Sequence, residues 1–272
     1  VGDDARRIRS VVVDYLAMGG VVAYGEDGPV SDATRLDPAA FGRVRDDVRN
    51  ALYQDVPAVE SIRTPADLER LCGLAARSRG EALAYRSLAG LFEVDRRTLT
   101  DSYLPALSAL YLLTAPTEYD NDRPRRVRLY LPDPRLVTAL SGTEPATVRD
   151  DLDVEAAYAR VAGYDHAMRL AYGLNAAQGV DPEAALPVPF WAADAGVVDY
   201  VVSVDDEPVP VALAYRPGTV ETARAALAAF RRRYDAPVGL LVTAEAAARS
   251  TPAIGHEDGI VGLPYWLYLL LC

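Results

Sequence analysis

The chain has 272 residues, half of them hydrophobic, which is enough to build a sizeable core in one large domain or two small ones. It carries 28 basic and 39 acidic residues, for a formal net charge of -11, and every basic residue is arginine. Without lysine a G-x-x-x-x-G-K-[ST] phosphate loop is excluded, and with it nucleotide hydrolysis by that route in this chain.

An acidic, lysine-free chain fits a high-salt cytoplasm; a GC-rich genome, which favours Arg and Ala codons, is the alternative origin. Cys72 and Cys272 are too far apart for a disulfide framework or a zinc motif, so a reducing cytoplasm is expected. His166 and His256 are isolated, which argues against a metal site or a His-based triad, and no cofactor is expected. The apolar tail 263–272 is well short of the roughly 20 residues that span a bilayer, so no membrane partner is expected. The first residue is Val and a helical pattern follows directly, as in a piece of a longer protein.

In chain order, Ile8, Val11, Val12, Tyr15 and Leu16 recur at helical spacing over 3–18, and Gly19-Gly20 is the stop. Residues 27–37 read as a loop and 38–52 as a helix with a solvated Arg/Asp face. Three helices follow. The first, 66–77, turns Leu68, Leu71, Cys72 and Ala75 inward and stops at Gly80; the second, 81–91, carries Leu83, Leu88 and Leu91. The third starts after the N-cap Asp95, places Leu99, Tyr103 and Leu107 on one stripe, and is expected to kink or end at Pro105. A hairpin is expected over 111–131, turning at Asn121-Asp122-Arg123-Pro124.

Three helices and a hairpin make a winged helix-turn-helix pattern. In that pattern Arg96, Arg97 and Thr100 lie on the exposed side of the groove-reading helix, and Arg126 and Arg128 on the wing reach phosphates. Against this stand the net charge of -11 and the use of winged helices as protein docks.

A short helix at 134–140 and a linker at 141–145 separate the helical region, 1–144, from a second domain, 145–272. There a helix at 147–173 should turn Val154, Ala157, Val161, Met168, Leu170 and Ala171 inward, and 187–192 should be a strand. Alternation then places Val197, Asp199 and Val201 on one strand face. After the turn Asp205-Asp206-Glu207-Pro208, Val209, Val211, Leu213 and Tyr215 alternate with Ala212, Ala214 and Arg216. A helix at 219–233 crosses over to a strand at 238–243, in an α/β layer with a mixed sheet.

Six stretches, in order along nearly the whole chain, carry a resemblance. They are Asp14-Tyr-Leu-Ala-Met-Gly-Gly20, Leu88-Ala-Gly-Leu-Phe-Glu-Val-Asp-Arg-Arg-Thr-Leu99, Arg128-Leu-Tyr-Leu-Pro-Asp-Pro134, Val197-Val-Asp-Tyr-Val-Val202, Val211-Ala-Leu-Ala-Tyr-Arg216 and Gly262-Leu-Pro-Tyr-Trp-Leu-Tyr268. With them the chain resembles the C-terminal half of a group of archaeal and bacterial AAA+-type ATPases, which pairs a winged helix with a PD-(D/E)XK nuclease-like α-β-β-β-α-β fold. The resemblance implies an ATPase domain as a partner, DNA as a further one, and a magnesium-dependent nuclease site.

Departures bear on that site. Val21 and Val22 follow the glycine pair where the family has a proline shortly after, and Val198 stands in place of an acid. Ala212 and Ala214 stand where an acid and a lysine are expected, and the helix acid falls near Asp165 or His166. Of the nuclease set Asp199 alone carries over. Magnesium needs oxygen ligands and the reaction a charge-stabilising lysine, so a non-catalytic regulatory module is expected. The alternatives are a nuclease using migrated ligands from Asp194, Asp205, Asp206 or Glu207, and a pure protein-interaction scaffold.

Overall fold

The computed structural model describes residues 2–20, 38–55, 65–183, 186–244 and 254–271. The loop expected at 27–37 lies outside them. The protein is α+β: a helical N-terminal half, then a mixed five-stranded sheet with helices. The described chain forms two compact units. A helical unit takes in residues 13–115 and 125–162, and a sheet unit takes in 1–12, 116–124 and 163–272. Set beside the expected regions 1–144 and 145–272, residues 1–12 and 116–124 group with the sheet unit and residues 145–162 with the helical one.

Helix α1 (Gly2–Met18) ends where expected, with Gly19 at φ +73. Helix α2 (Pro38–Asn50) continues into a π-helical turn, Ala51–Asp55. In α3 (Pro65–Ser78), Leu68, Leu71, Cys72 and Ala75 are all buried. The next helix begins later than its periodicity indicates, because Leu83–Ala84 forms a short strand, β1, ahead of α4 (Tyr85–Phe92). Leu88 is buried, but Leu91 faces solvent.

The third helix runs unbroken over residues 96–109 (α5), as Arg96–Thr98, a π-helical Leu99–Tyr103 and Leu104–Ala109. Pro105 was expected to interrupt it. The π-turn places Leu104 N–H on Leu99 O and opens the ladder just ahead of the ring, which would otherwise strike the carbonyl four residues back.

Strand β2 (Arg126–Val127) pairs antiparallel with β1, and Thr114 and Tyr130 exchange both backbone hydrogen bonds, at 2.8 and 2.9 Å. Helix α6 (Pro134–Ser141) then docks on the end of α1. Asp133 caps α6 through Arg135 N–H (2.7 Å) and also accepts Gly20 N–H (2.8 Å), while Arg135 Nε donates to Met18 O (2.6 Å). A Cβ on Gly19 would lie 1.9 Å from Asp133 Oδ1, so only glycine permits the contact.

The helix expected over 147–173 is two helices, α7 (Pro145–Asp150) and α8 (Leu152–Ala177). Asp151 breaks the run by taking an extended conformation and accepting the Asp153 and Val154 N–H groups on Oδ1.

In the sheet unit a ribbon of β3 (Trp191–Ala193) and β4 (Gly196–Val198) leads into the five-stranded sheet. Its strands are β5 (Tyr200–Val204), β6 (Glu207–Ala214), β7 (Gly239–Thr243), β8 (Gly255–Glu257) and β9 (Ile260–Pro264), in the order β5-β6-β7-β9-β8. The β5–β6 hairpin turns on two residues, Asp205 and Asp206, both at positive φ, which suits the strand twist. Helix α9 (Val220–Tyr234) links the parallel pair β6 and β7 and covers one face with Ala223, Ala226, Leu227 and Phe230. The other face is tyrosine-rich. Tyr200 packs on Tyr164 of α8 and on Tyr268 of the last helix, α10 (Tyr265–Leu269), and Tyr215 packs on Tyr265.

Candidate nucleic-acid interface and the Asp199 site

Asp199 lies between β4 and β5 at a bulge. Val211 is the register partner of Tyr200, yet its carbonyl also accepts the Asp199 N–H at 2.8 Å, so two residues oppose one. The extra residue changes the alternation. Val198 and Val201 both join the core under α9, although three residues apart, while Val197 is 40% exposed. The expectation that Val197, Asp199 and Val201 share one face is therefore corrected: it assumed an uninterrupted period of two.

The Asp199 carboxylate, on a residue only 9% exposed, accepts the Leu213 N–H at 2.9 Å. Strands β5 and β6 are antiparallel neighbours. Ala212 and Ala214 are each 0% exposed and sit in the apolar core with Trp191, Leu227 and Phe230. The positions where a nuclease of this pattern would carry its acid and lysine are thus dry and filled. Asp165, the helix acid by position, pairs with Arg169 at 2.8 Å, and its neighbour His166 is half-buried. Burial, with Arg169 nearby, lowers the His166 pKa to about 4 against a bond to the Leu269 backbone. Among the described residues no group of three or more His, Cys, Asp or Glu side chains could hold a metal ion. The acids named as migrated ligands are all exposed: Asp194 in the β3–β4 turn, Asp205 and Asp206 in the β5–β6 turn, where Asp205 takes a hydrogen bond from Gln178, and Glu207 at the start of β6. The residues present do not fit the divalent metal of a nuclease site.

In the helical unit, Asp95 caps α5 by accepting Thr98 N–H at 2.7 Å, and that bond holds its carboxyl below the usual range. Arg96 lies over the Tyr85 ring, 4.5 Å from its centroid. Arg97 is 89% exposed at its side chain, and its Nε donates to Asp101 Oδ2 at 3.0 Å. The Thr100 hydroxyl lies 2.9 Å from the other Asp101 oxygen. Arg96, Arg97 and Thr100 thus come together on one accessible stretch of helix, and Asp101, which sequence reasoning passed over, joins them. Its four-residue step from Arg97 was the available signal.

The wing residues do not behave as expected. Arg128 is 5% exposed, with Nη1 3.2 Å from the Tyr130 hydroxyl, and cannot reach a phosphate; Arg126 is half-buried on β2. The alternation Val127, Leu129, Leu131 against Arg126, Arg128, Tyr130 predicts one wet face, but residues 127 to 131 are all buried. The tip of the expected wing, 116–124, is built into the sheet unit. There Tyr119 N–H bonds Phe190 O at 2.7 Å, and the Tyr119 ring packs on Phe230 and Tyr234.

These features describe an α+β protein with an exposed Arg/Thr/Asp helix face in one unit and a bulged, closed sheet site in the other. Over residues 29–147 the chain is similar to a family described as a domain of unknown function (DUF8612). No curated protein and no solved structure matches it.

Proposed function

We propose that this chain is a non-catalytic binding module, a winged helix joined to a nuclease-like domain that has lost its metal site, acting with an AAA+-type ATPase. The observation that carries the non-catalytic half is the burial of Ala212 and Ala214 in the α9-side core, with the Asp199 carboxylate committed to the Leu213 N–H. The winged-helix half is supported by strand pairing. A short strand between the first two helices pairs with the strand that follows the third, and Thr114 with Tyr130 adds the hairpin rung. Its DNA-facing surface is the start of α5, with Arg96, Arg97 and Thr100.

Fluorescence anisotropy with labelled duplex and single-stranded DNA in molar KCl tests the binding, and plasmid DNA with Mg²⁺ or Mn²⁺ tests the chemistry. Binding without cleavage is expected. Cleavage abolished by Asp199→Ala would install the nuclease reading instead. A pure protein-docking role is the second reading, favoured by the burial of Arg128 and by the membership of 116–124 in the sheet unit. Failure to bind any DNA, together with capture of an ATPase core, would select it.

A further inference from the structure

We propose that Arg97 reads guanine in duplex DNA and that Asp101 sets its guanidinium for that task; the inference rests on the DNA-binding reading above. The Arg97 side chain is 89% exposed. Its single inner donor, Nε, is engaged by Asp101 Oδ2 at 3.0 Å. The carboxylate is held in turn by the Thr100 hydroxyl, 2.9 Å from Oδ1. With Nε engaged, the two terminal nitrogens remain available as a planar fork. Guanine presents N7 and O6 in the major groove as a matching pair of acceptors. Arg96 is not equivalent, because its guanidinium lies against the Tyr85 ring.

Asp101 also decides what Arg97 does not do. A carboxylate one helical turn away repels a phosphate, whereas it can stand beside a base edge and accept from an exocyclic amine. Arg128 is buried and takes no part in phosphate contacts, and Arg126 is half-buried. Each phosphate contact contributes a slope of about -0.9 in log affinity against log salt. Recognition by hydrogen bonds at a base edge suits a chain of net charge -11 better than capture by counterion release does.

The test uses the full chain in molar KCl, with duplexes selected from a pool randomised at the centre. The best duplex is then remade with 7-deazaguanine, which removes the N7 acceptor. The expected results are an about tenfold loss with 7-deazaguanine and a similar loss for Arg97→Lys. Asp101→Asn should lower affinity for the guanine site relative to random duplex, whose binding the loss of a phosphate-repelling carboxylate does not weaken. Both substitutions are at exposed positions, and thermal melts will show the fold intact. Binding that ignores 7-deazaguanine, or an Arg97→Lys loss equal on all sequences, overturns the inference, leaving an ordinary surface ion pair, while the DNA-binding reading stands. No binding to any duplex overturns both.

Discussion

Introducing the acid and lysine of the proposed nuclease pattern, by Ala212→Glu with Ala214→Lys, should unfold the sheet unit rather than create a catalyst. Both alanines are fully buried beneath α9, against Leu227 and Phe230 and beside Val198, Val201 and Leu241. Each substitution drives a long chain into a filled core, and overpacking costs about 1–3 kcal/mol per site. Each also carries a charge out of water, at several kcal/mol per ion, which mutual attraction repays only with near-ideal geometry. A net loss of about 4–8 kcal/mol is expected, comparable with the roughly 5–15 kcal/mol that holds a domain together. Urea unfolding in molar KCl, followed by circular dichroism and by the emission of the buried Trp191, gives the readout. Ala212→Ser, which adds one small hydroxyl, should cost far less and serves as the control. A double variant that unfolds at the parent midpoint, binds Mn²⁺ and cuts plasmid DNA would refute the reasoning, since it would show that these positions open onto a solvated cleft.

Asp199→Ala should destabilise by about 1–3 kcal/mol, because the Leu213 N–H loses its acceptor, with a smaller loss for Asp199→Asn; denaturant midpoints check both. Gly19→Ala should cost about 2–4 kcal/mol and loosen the junction between α1 and α6, since it meets both a positive φ and a Cβ placed 1.9 Å from Asp133 Oδ1. Thermal melts will rank it well below Gly142→Ala, where φ is also positive but no atom lies within 4 Å. His166 has a folded pKa of about 4, below the ordinary histidine value of 6.5, so the unfolded chain binds more protons between those values and stability falls as pH drops through that window. Allowing for solvent at a half-buried ring, the loss is about 1–2 kcal/mol, and His166→Gln should flatten that part of the stability-pH curve.

Local signals determined much of this protein. The Leu68, Leu71, Cys72, Ala75 stripe is buried as its spacing requires, Asp95 caps its helix, and Gly19 ends α1 in a left-handed conformation. Adjacency of the strands on either side of the acidic turn was also legible, but its length was not: the turn expected over 205–208 is two residues, Asp205 and Asp206, and Glu207 and Pro208 already pair in β6. Where sequence reasoning departed from the fold, either a local adjustment of the backbone or a distant contact had overridden a local rule. Pro105 is accommodated by a π-turn one turn ahead of it, and Leu83 is drawn out of a helix by Val127, its register partner far along the chain. Arg128, just past β2, is buried along with its neighbours from 127 to 131, which alternation along the sequence cannot reveal.

At the candidate site the sequence alone determined that positions 212 and 214 carry alanine and that the chain has no lysine, since residue identity needs no coordinates. It could not tell that these alanines are sealed in a core, or that one inserted residue turns Asp199 toward a backbone amide. A bulge is defined by two chains being counted against each other, and burial by what packs from elsewhere. Both are properties of the assembled tertiary structure, and no single stretch of sequence contains them.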